Sequence, residues 1–166
     1  MILTIARNTL FFVVLVLAQV LLFNNINFLG FINPYVYVLF ILGLPVALNK
    51  KSIMVVAFCL GLLIDIFTNT LGIHIFASVL IAYLRNFWID ALFFRNDFDF
   101  ASPSIKNFGF FNFVKYAFVL IFVHHLALFI LEVLTFNHFL LMLLRVLYNS
   151  IVSLLLIISF ELIKSK

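Results

Sequence analysis

Residues 61–85 read GLLIDIFTNTLGIHIFASVLIAYLR, from Gly61 to Arg85. An apolar run ends in an acid, Asp65, and a small polar turn follows over Thr68, Asn69, Thr70, Leu71 and Gly72. A second apolar run opens with His74 and closes at Arg85. The pattern predicts two membrane helices joined by a tight turn. Ala57, Gly61 and Asp65 recur at intervals of four and so share one helix face. Ser78 and Ala82 continue that spacing from His74 after the turn. Small residues at this spacing let helix backbones approach closely in lipid. A turn centred near Asn69 or Thr70 puts Asp65 and His74 at one depth, where they can hydrogen-bond or pair. An unpaired aspartate at a helix centre in lipid costs about 2.5–3.5 kcal/mol, so a partner is expected.

Working outward, the chain of 166 residues is 67% hydrophobic and 10% charged, with 24 phenylalanines. A soluble domain of this length needs far more polar surface, and no polar stretch is long enough for a soluble head. The expected class is an all-α, polytopic membrane protein forming a single helical domain over residues 1–166. Cys59, the one cysteine, cannot form an internal disulfide and is expected to be a small buried hydrophobe. The run from Leu10 to Phe23 follows Arg7 as a signal peptide would. It ends in Asn24, Asn25, Ile26 and Asn27 with no small-x-small site, which marks it as the first span.

Six spans are predicted. The first ends at Phe23. The second runs from Asn33-Pro34, read as a helix cap and first helical residue, to about Leu48, with a kink invited by Gly43 and Pro45. The third covers Ser52 to Phe67, about 24 Å of rise, which is short of a bilayer core of about 30 Å. The fourth starts near Ile73, meets its first charge at Arg85, and is also short unless it continues through Trp88. Arg85 to Asn107 reads as an interfacial segment or a solvated loop. Its acids nearly balance its bases, which argues against a nucleic-acid surface. The fifth span ends near Leu134 and the sixth covers Phe139 to Phe160, joined by a turn over Thr135 to His138. Lys and Arg cluster at the two termini and in the loops after spans two and four, so the positive-inside rule puts both termini in the cytoplasm.

Ionisable residues within spans are the functional candidates by default: Asp65, His74, His124, His125, Glu132 and Arg145. Glu132 and Arg145 flank a short turn and can pair, with Asp65 as a competing partner for Arg145. Arg145, Asn149 and Ser153 give the last span a polar stripe, expected to face the bundle interior. His125 and Glu132 share a helix face, but this is no known ligand spacing, and no metal or cofactor is expected. There is no Gly-rich phosphate loop and no Gly-x-Ser-x-Gly motif, so a catalytic role is not expected either.

The same central stretch resembles the MreD family of rod-shape-determining membrane proteins. The resemblance is carried by Gly61, Asp65, the turn from Thr68 to Thr70, Leu71-Gly72 and the Ala82-Tyr83 pair. NPYVYVLFILGLP, Asn33 to Pro45, is similar to that family's second helix, and Asn149 fits its last. The resemblance implies a non-enzymatic scaffold in the bacterial cytoplasmic (inner) membrane. Such a scaffold binds MreC, works beside the MreB filament, the RodA glycosyltransferase and its penicillin-binding transpeptidase, and helps organise peptidoglycan synthesis. It also implies a six-helix fold similar to the substrate-binding subunits of energy-coupling-factor transporters. That likeness supplies the alternative expectation, a small-molecule binding subunit of a transporter.

Overall fold

The computed structural model describes residues 2–26, 32–93, 102–133 and 139–164. Those residues are helical throughout their longer stretches: α1 (Ile2–Leu21), α2 (Val38–Leu42), α3 (Lys50–Thr68), α4 (Ile73–Leu92), α5 (Ile105–Phe108), α6 (Phe110–Val133) and α7 (Phe139–Lys164). Five helices are long and apolar enough to cross a membrane, namely all but α2 and α5. Each exceeds the roughly 18 residues that a bilayer core requires. Their outer faces carry large exposed apolar side chains, such as Leu10, Val14 and Leu21 on α1 and Leu140, Leu141 and Leu155 on α7.

The five helices pack in the order α1–α3–α4–α6–α7. Phe11 on α1 stacks on Phe160 of α7 with ring centroids 5.6 Å apart, which brings the two ends of that series together. The segment expected as the second span runs inside this ring, and it is not a long helix. Only Val38–Leu42 is α-helical, and every residue of it is buried. Pro34 and Pro45 each remove a backbone donor, and Gly43 ends α2 as its C-cap. Asn33-Pro34 therefore does not start a helix, and the segment is a broken pass rather than a kinked one. It runs alongside α4, because Tyr35 packs near His74 while the Leu44 carbonyl meets Arg85.

Further expectations change. α3 and α4 are 19 and 20 residues long, or about 28–30 Å each, so the hairpin is not short. Asn49 caps α3, its side chain accepting from Lys51 N at 3.0 Å, so the helix begins at the lysines rather than after them. Arg85 does not end α4; it is fully buried within it. The segment from Arg85 to Asn107 is thus helical to Leu92 and short-helical over Ile105–Phe108, while Arg95, Asp97 and Asp99 lie outside the described residues. So does the turn over Thr135 to His138. Cys59 is exposed on the outward face of α3, because the inward face is set by Ile53, Ala57, Leu60, Gly61 and Ile64.

α3 and α4 approach closely at Gly61. A Cβ added at Gly61 would lie 2.6 Å from Ile75 Cα and 2.7 Å from the His74 carbonyl oxygen. Both obstacles are backbone, so no side-chain adjustment relieves them. Gly61→Ala is therefore expected to force the hairpin apart and cost about 1–3 kcal/mol, read as a loss of several degrees in thermal unfolding in detergent. Gly72→Ala, where φ is +85° and nothing lies within 4 Å, is expected to cost only about 1 kcal/mol of left-handed strain. A Gly61→Ala protein as stable as the parent would refute the close approach.

Candidate functional site

The turn between α3 and α4 is built from the Asp65 end. Asn69 adopts left-handed geometry at φ 55°, and Gly72 follows at φ 85°. Asparagine and glycine are the residues that tolerate this region best. Gly72 is the N-cap of α4 and offers no side chain to the helix start. Asp65 supplies the cap instead, from the end of the preceding helix. Its Oδ1 accepts from His74 N at 3.1 Å and its Oδ2 from Ile75 N at 2.9 Å. Thr70 Oγ1 donates to Asp65 Oδ1, and His74 Nδ1 lies 3.0 Å from the same oxygen. Thr68 Oγ1 closes back on the Ile64 carbonyl at 2.7 Å. The carboxylate sits at the positive end of the α4 dipole, buried at 4% exposure, and this removes the cost of placing an acid in the bundle. Leu71 stands fully exposed at the tip.

From there the polar groups continue inward. The Tyr35 ring lies 5.9 Å from His74, 6.1 Å from His124 and 5.1 Å from His125, measured between centroids. Tyr37 Oη and His124 Nε2 are 2.7 Å apart. His125 donates from Nδ1 to the Ile121 carbonyl at 2.7 Å. His124 and His125 are fully buried. Among the described residues, no three His, Cys, Asp or Glu side chains are grouped so as to hold a metal ion.

The broken segment is tied to the surrounding helices through its backbone. Gln19 Oε1 accepts from Val36 N at 2.8 Å, and its Nε2 donates to the Pro34 carbonyl at 3.0 Å. Asn149 Oδ1 accepts from Asn33 N at 2.7 Å, and Ser153 Oγ accepts from Tyr35 N at 2.9 Å. Toward the other end, Tyr116 donates to the Leu42 carbonyl at 2.9 Å. Arg85 donates to the Leu44 carbonyl and, through Nε, to Tyr116 Oη at 3.0 Å. Each of these side chains replaces a partner that a regular helix would have provided.

Of the residues singled out from the sequence, the structure brings Gly61, Asp65, Thr68, Gly72 and His74 together in the hairpin. Ala82 is fully buried, Tyr83 is half exposed with Lys50 Nζ 3.4 Å from its ring centroid, and Leu71 touches nothing of the core. Glu132 and Arg145 approach to 3.7 Å at a half-exposed rim, where such a pair contributes little. Arg145 therefore pairs with Glu132 and not with Asp65. Asn149 and Ser153 face inward, and Arg145 at the head of the same stripe is partly buried, its guanidinium 4.9 Å from the centroid of the buried Phe129 ring. Tyr35, Tyr37 and Tyr116 were not singled out by the sequence, Gln19 stood only as a polar residue within the first span, and Arg85 was read only as the first charge of the fourth span. Their signal was a single polar group in an otherwise apolar run, opposite an Asn-Pro and Gly-x-Pro segment that cannot pair its own backbone.

Five membrane-length helices with apolar outer faces and inward polar groups define a helical bundle of the membrane-protein class. Compared with known proteins, the chain matches no family model, no curated protein and no solved structure.

Two substitutions test the site. Gln19→Leu keeps the size but strands the Val36 donor and the Pro34 carbonyl, and is expected to cost about 2–4 kcal/mol. A cysteine placed at Val36 should then react faster with a membrane-permeant thiol reagent; unchanged labelling would mean that Gln19 does not hold the segment. Asp65→Ala leaves two helix-start donors without their acceptor and is expected to lose about 2–3 kcal/mol in thermal unfolding. Asp65→Asn, which retains one acceptor oxygen, should lose less, and the reverse order would remove the capping role.

Proposed function

We propose that the protein is a non-catalytic platform of the MreD kind in the bacterial inner membrane, with both termini cytoplasmic. On this reading it binds MreC and helps place the wall-elongation enzymes. One observation carries the reading: five buried polar side chains of the interior are engaged by the chain's own broken segment. Gln19, Asn149, Ser153, Tyr116 and Arg85 all hold backbone groups between Asn33 and Leu44. A bundle organised this way is a rigid body that offers its partners an outer surface. The orientation is supported by charge. Arg7, Lys106 and Lys164 line one cavity beside Pro45, and Lys50 and Lys51 begin α3 a few residues further on. Glu132, Thr70 and His74 line a cavity at the opposite end. Basic residues at one end favour that end in the cytoplasm.

The alternative, a small-molecule binding subunit of a transporter, rests on the latter cavity. It measures about 410 Å³, and Asn25, Asn33, Tyr35 and Glu132 also line it. That volume suits a small polar ligand.

The two readings separate in intact cells. A photo-crosslinking residue placed at exposed positions of α1 and α7, such as Val14 and Leu155, is expected to capture MreC and the elongation enzymes. Capture of an ATPase pair, or co-purification of a tightly held small molecule, would overturn the platform reading in favour of the carrier.

A further inference from the structure

The basic end of the bundle contains a cavity of about 580 Å³ whose chemistry the assembly reading does not use. Its lining divides into two parts. Arg7 from α1, Lys106 from α5 and Lys164 from α7 supply three cations from three separate elements. Among the described residues, neither Arg7 nor Lys106 has an ion-pair partner. The acid in the lining, Glu161, is 2% exposed and accepts from Lys164 Nζ at 2.9 Å. The balance therefore stays positive. The second part is apolar: Phe11, Leu39 and Phe40 form a floor. That floor continues through the Phe11–Phe160 stack onto the exposed face of α7.

A site with cations at the rim and an apolar floor opening toward the lipid-facing surface fits an amphiphile rather than a soluble ion. The head must be anionic, because Arg7 and Lys106 line the cavity with no acid partner among the described residues, and guanidinium and ammonium groups suit phosphate oxygens. The tail must be hydrocarbon, because the floor is aromatic and aliphatic and continues through the Phe11–Phe160 stack onto a membrane-facing helix. Basic pockets between helices at the cytoplasmic side of a membrane bind phospholipid heads by this combination. We propose that this cavity seats the phosphate head of an anionic phospholipid from the adjacent leaflet, with an acyl chain laid along Phe40 and Phe160. The site pins α1, α5 and α7 to one lipid. It stands whether or not the protein assembles with MreC.

The test uses the full chain purified in a neutral detergent and native mass spectrometry to count bound molecules. Short-chain phosphatidylglycerol, short-chain phosphatidylcholine and inorganic phosphate are titrated separately. Phosphatidylglycerol is expected to give a saturable single adduct, with phosphatidylcholine at least about fivefold weaker and phosphate giving none at the same concentration. Arg7→Gln and Lys106→Gln should each weaken phosphatidylglycerol binding roughly fivefold. Lys51→Gln, outside the cavity, should leave it unchanged and serves as the control for a general loss of basic charge. Three results would each overturn the proposal. Phosphatidylcholine could bind as well as phosphatidylglycerol, which would make the site merely apolar. Phosphate alone could saturate it, which would make it a soluble-anion site. The Arg7 and Lys106 variants could match the Lys51 variant, which would place the lipid elsewhere.

Discussion

The structure depends on a single requirement: backbone that is not helical must still find hydrogen-bond partners where water is scarce. Residues 32–46 are almost wholly buried, yet only five of them, Val38–Leu42, form an α-helix. In lipid, irregular backbone of this kind is tolerated only when protein surrounds it. The bundle meets that requirement with side chains aimed at individual peptide groups. Gln19 serves the entry of the segment, Asn149 and Ser153 serve its first residues, and Tyr116 with Arg85 serve its exit. The five long helices can be read as the shell that these contacts require. Their outer faces are interchangeable hydrocarbon, and their inner faces are not.

The α3–α4 hairpin meets the same requirement at a helix terminus. The first turn of α4 has orphan N–H groups, and its own N-cap is a glycine. Asp65 reaches across from α3 to take two of them, with Thr70 and His74 closing around the carboxylate. That reach is possible only because Gly61 lets the two backbones touch one turn below. The glycine and the acid are thus one device. The hairpin, in turn, positions His74 and Arg85 along one face of α4, against Tyr35 at one end of the broken segment and Leu44 at the other.

These constraints bear on function through what they leave available. Gln19, Asn149, Ser153, Tyr116 and Arg85 inside the bundle are engaged by the chain itself, and further polar side chains gather at its two ends. One end gathers Glu132, His74 and the asparagines; the other gathers Arg7, Lys106 and Lys164. A body with a fixed interior, a hydrocarbon belt and chemically distinct ends is suited to holding partners in register.

The sequence by itself determined the class and much of the hairpin. Composition required a membrane-type helical bundle, and the four-residue spacing of Ala57, Gly61 and Asp65 picked the inner face of α3 and the partner of His74. Both are local, periodic properties, which a chain displays without folding. The polar stripe through Asn149 and Ser153 was legible for the same reason, though its object was not. Only the tertiary structure decided that Asn33 to Leu48 is a broken pass, that Arg85 lies inside the bundle, and that Cys59 faces outward. An Asn-Pro and a Gly-x-Pro flanking an apolar run suit a kinked helix or a broken one equally well. What selects the broken form is the set of Gln19, Tyr116, Arg85, Asn149 and Ser153, which come from four different helices. Their partnership exists only once those helices have packed, because a side-chain hydrogen bond to a distant peptide group leaves no period in the sequence.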